Sequence, residues 1–202
     1  MDDAHLDRVL IGGRERREIV IADYDPAWPR RFEAERDRIG AALGDRALRI
    51  AHIGSTAVRG LAAKPIVDIL VEVARLEDAD LERAGYVLRV REEGHRMFRT
   101  PERDVHVHVW PTGHPDIAAQ LVFRDRLRAS ADDRRAYERL KRELATRDWA
   151  DMNHYAGAKG DLIRAILRRA GSGNGAGWGS EGAARGGTNV TRRHAPRLRL
   201  KD

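Results

Sequence analysis

Between His52 and Val73 the chain reads HIGSTAVRGLAAKPIVDILVEV. Its last eight residues, Ile66–Val73, form an apolar strand interrupted only by Asp68 and Glu72. A carboxylate within so apolar a run is costly to bury without a partner. A divalent cation would serve, and so would Lys64 or an arginine. The run Leu48–Ile53 is a second strand, and it enters the turn Gly54-Ser55-Thr56. That turn offers backbone N–H groups and two hydroxyls with no bulky side chain in the way, a composition suited to phosphate. The plainer reading is a strand-to-helix turn capped by Ser55 or Thr56. Strand, glycine turn and acid-bearing strand in the 26 residues Leu48–Val73 fix the local architecture to a sheet with its chemistry at one end.

The remaining pattern places this unit in an α+β fold: a small mixed sheet with flanking helices and a C-terminal helical part. Residues 1–17 read as a polar extension with a short helix over Asp3–Leu10 and a break at Gly12-Gly13. A strand is expected over Glu18–Ala22. The turn Asp25–Pro29 leads into a helix, Arg31–Leu43, with Phe32, Ile39 and Leu43 at helical spacing. A short helix near Gly60–Ala63 and another over Glu77–Ala84 follow. Tyr86–Arg91, His95–Arg99 and Val105–Trp110 read as strands. From Pro115 the pattern is helical: Asp116–Ala129, Asp132–Thr146 and Asp151–Ala170, with Ser130 or Asp132 and then Asp148 or Asp151 as caps. The domain is therefore expected over residues 18–170. The segment 171–202 holds eight glycines without periodicity and reads as a disordered basic tail.

Composition narrows the chemistry. There is no cysteine, so disulfides and thiolate metal sites are excluded, and a reducing cytoplasm is the expected compartment. No apolar run approaches the ~20 residues of a membrane span, and the N-terminus does not resemble a signal peptide. The net charge of +6 invites a nucleic-acid reading. Segment 171–202, however, carries six basic and two acidic residues against 32 and 30 in the rest of the chain. With the body nearly balanced and no aromatic stacking platform evident, no specific nucleic-acid partner is expected. Lysine is rare: Lys64, Lys141, Lys159 and Lys201 are the four among 38 basic residues, so each is informative.

Val105-His106-Val107-His108-Val109 alternates cleanly. The valines face a core and both histidines the other side, some 6–7 Å apart, close enough to converge on one ion or phosphate. Alternatively the pair lines a polar face beneath a helix. His52 borders the glycine turn and faces either the same pocket or the core. Lys64 is placed to neutralise phosphate or to pair with Asp68. Arg124 and Arg128 share one helix face, and Tyr155 and Lys159 share another. Either pair can close a pocket or form part of a solvated surface.

Taken together, these motifs resemble the GrpB family, which is placed in the nucleotidyltransferase superfamily. The matching blocks are Asp23–Pro29, His52–Val58, Ala63–Ile69, His106–Val109 and Phe123–Arg128, spanning roughly residues 8–170. The resemblance implies that Gly54, Ser55 and Thr56, with His52, Arg124, Tyr155 and Lys159, hold nucleotide phosphates. It further implies that Asp68 binds a divalent cation (Mg²⁺, Mn²⁺ or Zn²⁺) with His106 and His108, and that Lys64 assists catalysis. The sequence departs from the superfamily at Leu70, where a second acid is usual. Glu72, roughly 13 Å from Asp68 along the strand, is too far to share an ion. Arg59 also stands where relatives tend to carry proline.

The expected activity is metal-dependent nucleotidyl transfer to a small-molecule acceptor. A non-catalytic module that binds a nucleotide or phosphorylated metabolite, and a histidine-based metallo-phosphohydrolase, are the alternatives.

Overall fold

The acid-bearing strand, Val67–Val73 (β2), lies between Ala47–Ile53 (β1), antiparallel to it, and Val105–Pro111 (β5), parallel to it. This is a computed structural model and describes residues 3–16 and 18–173. His95–Arg99 (β4) and Val87–Glu92 (β3) complete a five-stranded sheet in the order β1-β2-β5-β4-β3. The β2–β5 register sets Asp68 beside His106 and Leu70 beside His108, while Ile53 faces Asp68 from β1.

Strand alternation divides the sheet into two surfaces. Val67, Ile69, Val71 and Val73 of β2 join Val105, Val107 and Val109 of β5 in the main core. The helix Ala27–Leu43 (α2) covers them with Trp28, Ile39 and Leu43. Each such side chain, taken fully out of water, contributes about 1.5–3 kcal/mol. The valine face is thus core, as the alternation requires. The histidines, Asp68 and Leu70 emerge on the opposite surface, under the helical part.

That part comprises Pro115–Ala129 (α3), Ala131–Ala145 (α4), Met152–Ala158 (α5) and Gly160–Gly173 (α6). Phe123, Leu127, Tyr137, Ile163 and Ile166 hold α3, α4 and α6 together and take in Val58 and Leu61 from the segment after the glycine turn. The caps are local chemistry. Ser130 accepts from the Asp133 N–H at 3.2 Å and Asp151 from that of Asn153 at 2.7 Å. At the other end of the chain, the helix Asp3–Val9 (α1) buries Leu6, and Leu10 bridges to Val90 of β3.

Four expected elements differ. Glu18–Ala22 is not a strand: Ile19 and Ile21 pack with Leu144 and Tyr155, and only Ala22 pairs, with Ala63. Gly60–Ala63 is not helical, because Ala63 is drawn into that pairing; the helical turn instead falls on Ser55–Ala57. Glu77–Ala84 resolves into two 3₁₀ turns, Leu76–Asp78 and Glu82–Ala84, separated by non-helical Ala79. The helix expected over Asp151–Ala170 is two helices meeting at Lys159, flanked by Gly157 and Gly160, which weaken helix propagation. Helix α6 runs to Gly173, three residues into the expected tail; the rest of 171–202 lies outside the described residues.

The glycine turn is tied to β2 by close approach. Gly54 has φ +68° and ψ −169°, a combination nearly reserved for glycine. A Cβ there would sit 2.6 Å from Asp68 Oδ2. Gly60 also has positive φ, yet a Cβ there would meet nothing within 4 Å. Gly54→Ala should therefore destabilise by at least about 2 kcal/mol more than Gly60→Ala in denaturant unfolding, because it adds collision to backbone strain. Equal losses would show that Gly54 does not need to lie against the carboxylate.

Candidate metal centre and phosphate cavity

Asp68 is 2% exposed. Burial works to raise its pKa, but the His106 and His108 imidazoles outweigh burial and hold it below the usual carboxylate range. Neither imidazole is in ordinary hydrogen-bond contact. His106 Nδ1 lies 3.5 Å and His108 Nε2 3.7 Å from Asp68 Oδ1, and that buried oxygen makes no hydrogen bond. One ligand atom from each of the three residues falls within 4.8 Å of the others. For bonds of about 2.0–2.1 Å, tetrahedral ligand atoms stand roughly 3.4 Å apart. The two measured separations fit that bite, and the donor set of two nitrogens and one oxygen suits Zn²⁺ or Mn²⁺ better than Mg²⁺. Three protein donors leave positions for water or substrate.

Around this cluster the chain gathers its scarce lysines. Lys141 of α4 is 1% exposed and donates to Ser55 Oγ at 2.9 Å and to the carbonyl of Ala62. Lys64 and Lys159, 9% and 0% exposed, place Nζ 5.3 and 4.3 Å from the Tyr155 ring centroid. Ser55, Lys64, Asp68, Lys141 and Tyr155 line one small cavity. A second, of about 80 Å³, shares Lys64 and Ile66 with it and extends past His106 to Glu15, Arg89, Arg99 and Asp151. Residues from β2, β3, β4, β5, α4, α5, the glycine turn and the N-terminal segment thus line the two cavities.

The anticipated residues divide by role. Asp68, His106, His108, Ser55, Lys64 and Tyr155 line the cluster or its cavities, and Gly54 packs against Asp68. Lys159 sits behind Tyr155. Arg124 donates to the carbonyl of His52 at 3.0 Å and pairs with Asp125; Arg128 likewise holds the carbonyl of Ala57. These arginines clamp the turn's backbone to α3. Thr56 Oγ1 donates to the Ile66 carbonyl and lies 3.0 Å from His52 Nε2. Leu70, in place of a second acid, packs with Ile53, Trp110 and Ile117, and Glu72 pairs with Arg49. Sequence reasoning did not place Lys141, whose rarity was the one signal available. Nor did it place His95, whose Nε2 lies 3.2 Å from His108 Nδ1.

His52 stacks on Phe32, with ring centroids 4.8 Å apart, and burial lowers its pKa to about 4 against the opposing charge of Asp68. An unfolded histidine takes up its proton near pH 6.5, so protons favour the unfolded chain between about pH 6.5 and 4, and stability falls as pH drops through that window. The His52 contribution should reach about 2 kcal/mol by pH 5. Unfolding free energies of His52→Gln should lose that much pH dependence between pH 7 and 5. Identical slopes in both proteins would remove the assignment.

Among the described residues, no helix is long and apolar enough to cross a membrane. The model of the GrpB protein family matches residues 18–169. A UPF0157 protein of Streptomyces coelicolor is 52% identical over 168 residues, covering 81% of this chain and 90% of that one. The crystal structure of the conserved protein GrpB from Enterococcus faecalis superposes with a TM-score of 0.68 at 34% identity, covering 77% of this chain and 99% of that one. A dephospho-CoA kinase of Mycolicibacterium paratuberculosis is 31% identical over 189 residues; the match covers 77% of this chain and 46% of the kinase. By matched family model, close relatives and fold alike, this chain belongs to the GrpB family.

Proposed function

We propose that Asp68, His106 and His108 hold a divalent cation, and that the protein uses it to bind the phosphates of a nucleoside triphosphate and pass the nucleotidyl group to a hydroxyl of a small-molecule acceptor, with pyrophosphate as the leaving group. The observation that carries this reading is Asp68 Oδ1, buried, without a hydrogen bond, and faced by two imidazole nitrogens at 3.5 and 3.7 Å. A cation between them resolves the desolvation of a carboxylate that nothing else fully satisfies. Once bound, it would polarise a phosphoryl oxygen.

The chain's own groups supply the rest. Lys64 borders both cavities and is placed to offset phosphate charge. Lys141 orients the Ser55 hydroxyl. Tyr155 walls the site and excludes water from it. The 80 Å³ cavity falls well below the roughly 300–1,000 Å³ of ordinary ligand sites. A phosphate fits the scale of this space; a whole nucleotide requires α5 or residues 10–15 to move from the sheet. The dephospho-CoA kinase match is consistent with a nucleotide-related setting.

Leu70 favours a second reading, a module that binds the same class of ligand without turnover, because among the described residues Asp68 is the one carboxylate in the cluster with His106 and His108. Metal-dependent release of pyrophosphate, with label from an α-phosphate-labelled nucleotide passing to an acceptor, separates the two.

Calorimetry with Zn²⁺ or Mn²⁺ should show one site per chain, with Mg²⁺ at least about tenfold weaker. Asp68→Asn should abolish it while the protein stays folded. No uptake by the wild type, or equal uptake by Asp68→Asn, overturns the centre. With the cation present, a nucleotide at 100 times its Kd should add about 2.7 kcal/mol, raising Tm by roughly 5–10 °C. The same nucleotide without cation should do much less; equal shifts would show that phosphate binding does not pass through Asp68.

A further inference from the structure

On its far side His108 is not in contact with solvent. Its Nδ1 lies 3.2 Å from His95 Nε2, and His95 Nδ1 lies 3.3 Å from Glu92 Oε1. His95 and His108 are 5% and 2% exposed. Their rings stack at 5.4 Å with 10° between planes, and Trp110 stacks on both. The second Glu92 oxygen lies 3.3 Å from His5 Nε2, on α1. Hydrogen positions follow from this network. An ionised carboxylate only accepts, so His95 donates through Nδ1. With His95 neutral, its Nε2 accepts, and the donor is His108 Nδ1–H. That leaves the lone pair of His108 Nε2 on the Asp68 side, where it and Oδ1 are two acceptors that only a cation between them reconciles.

We infer that Glu92 and His95 are positioning residues for the cation site: they fix the proton of His108 on Nδ1 and present its Nε2 as a ligand atom. This rests on the cation reading above and deepens it. A ligating histidine needs its other nitrogen occupied by a hydrogen-bond acceptor, and loss of such a partner typically weakens metal binding about 10–100-fold. Here the acceptor is another imidazole, itself anchored by a carboxylate two strands from the ligand. The hairpin β3–β4 therefore holds the centre although it carries none of the three ligands. Stacking between His95, His108 and Trp110 locks the ring plane as the hydrogen bonds lock the proton.

The test uses the full chain, Zn²⁺ alone as probe, and two substitutions. His95→Phe keeps an aromatic ring against Trp110 and removes the acceptor. His95→Gln places an amide oxygen near the Nε2 position and restores it. Zn²⁺ affinity should fall about 10–100-fold in His95→Phe and recover most of the way in His95→Gln, with Tm of the metal-free proteins within a few degrees. Imidazole ¹⁵N spectra of the metal-free wild type at pH 8 should show His108 protonated on Nδ1 and bare on Nε2. A His108 protonated on Nε2, or unchanged Zn²⁺ affinity in His95→Phe, overturns the inference. A wild type that takes up no Zn²⁺ defeats the cation centre instead, and the nitrogen spectrum still decides the relay, because it is read without metal.

Discussion

One buried charge organises this molecule. Asp68 sits on a strand whose other face is hydrocarbon, at 2% exposure. A carboxylate in that position has to be answered from several directions. The glycine turn lies against it, because only glycine leaves room beside Oδ2. The parallel strand β5 places His106 level with it and His108 two residues beyond. Helix α4 brings Lys141 to the cavity Asp68 borders, and Lys64 reaches the same cavity from the segment before β2. In each case a local element is oriented by the need to satisfy or to use this one group.

The second consequence is layering behind the site. His108 reaches from Asp68 to His95, and His95 to Glu92, so polar contact continues through the sheet edge to α1. On the other side, Arg124 and Arg128 hold the backbone of His52 and Ala57, fixing where the turn sits under α3. Arg124, a residue type suited to phosphate, here also braces the turn. The Asp–His–His cluster, Lys64 and the Ser55–Lys141 pair lie nearest the carboxylate's cavity. The N-terminal segment belongs to this layer too. Leu10 and Glu15 line the larger cavity, Arg99 pairs with Glu15, and Asp151 takes the Glu15 N–H.

Strands and most helices were legible because their determinants are local. Alternation in Val105–Val109 fixes which side the histidines take, whatever the neighbours do. Ser130 and Asp151 cap helices through atoms two or three residues away. Where the reading failed, long-range contacts overrode local pattern. Ile19 and Ile21 satisfy a strand's alternation, yet their partners are Leu144 and Tyr155 on the helices. The continuous helical periodicity past Asp151 concealed a break at Lys159, where paired glycines let the chain turn and tuck the lysine behind Tyr155.

The sequence by itself determined the composition of the centre. It carried Asp68 on an apolar strand, two histidines at period two, a glycine turn and no cysteine, a donor set that fits a hard-to-borderline cation on one face of a sheet. Tertiary structure decided what no spacing along the chain can encode. The β2–β5 register brings Asp68 beside His106 across 38 residues. Lys141, 86 residues from Ser55, becomes its donor, and His95, one of several unremarkable histidines, becomes the acceptor behind His108. The physical reason is range: hydrophobic alternation and caps act over a few residues, whereas a buried charge is compensated by whatever the folded chain brings within a few ångströms of it.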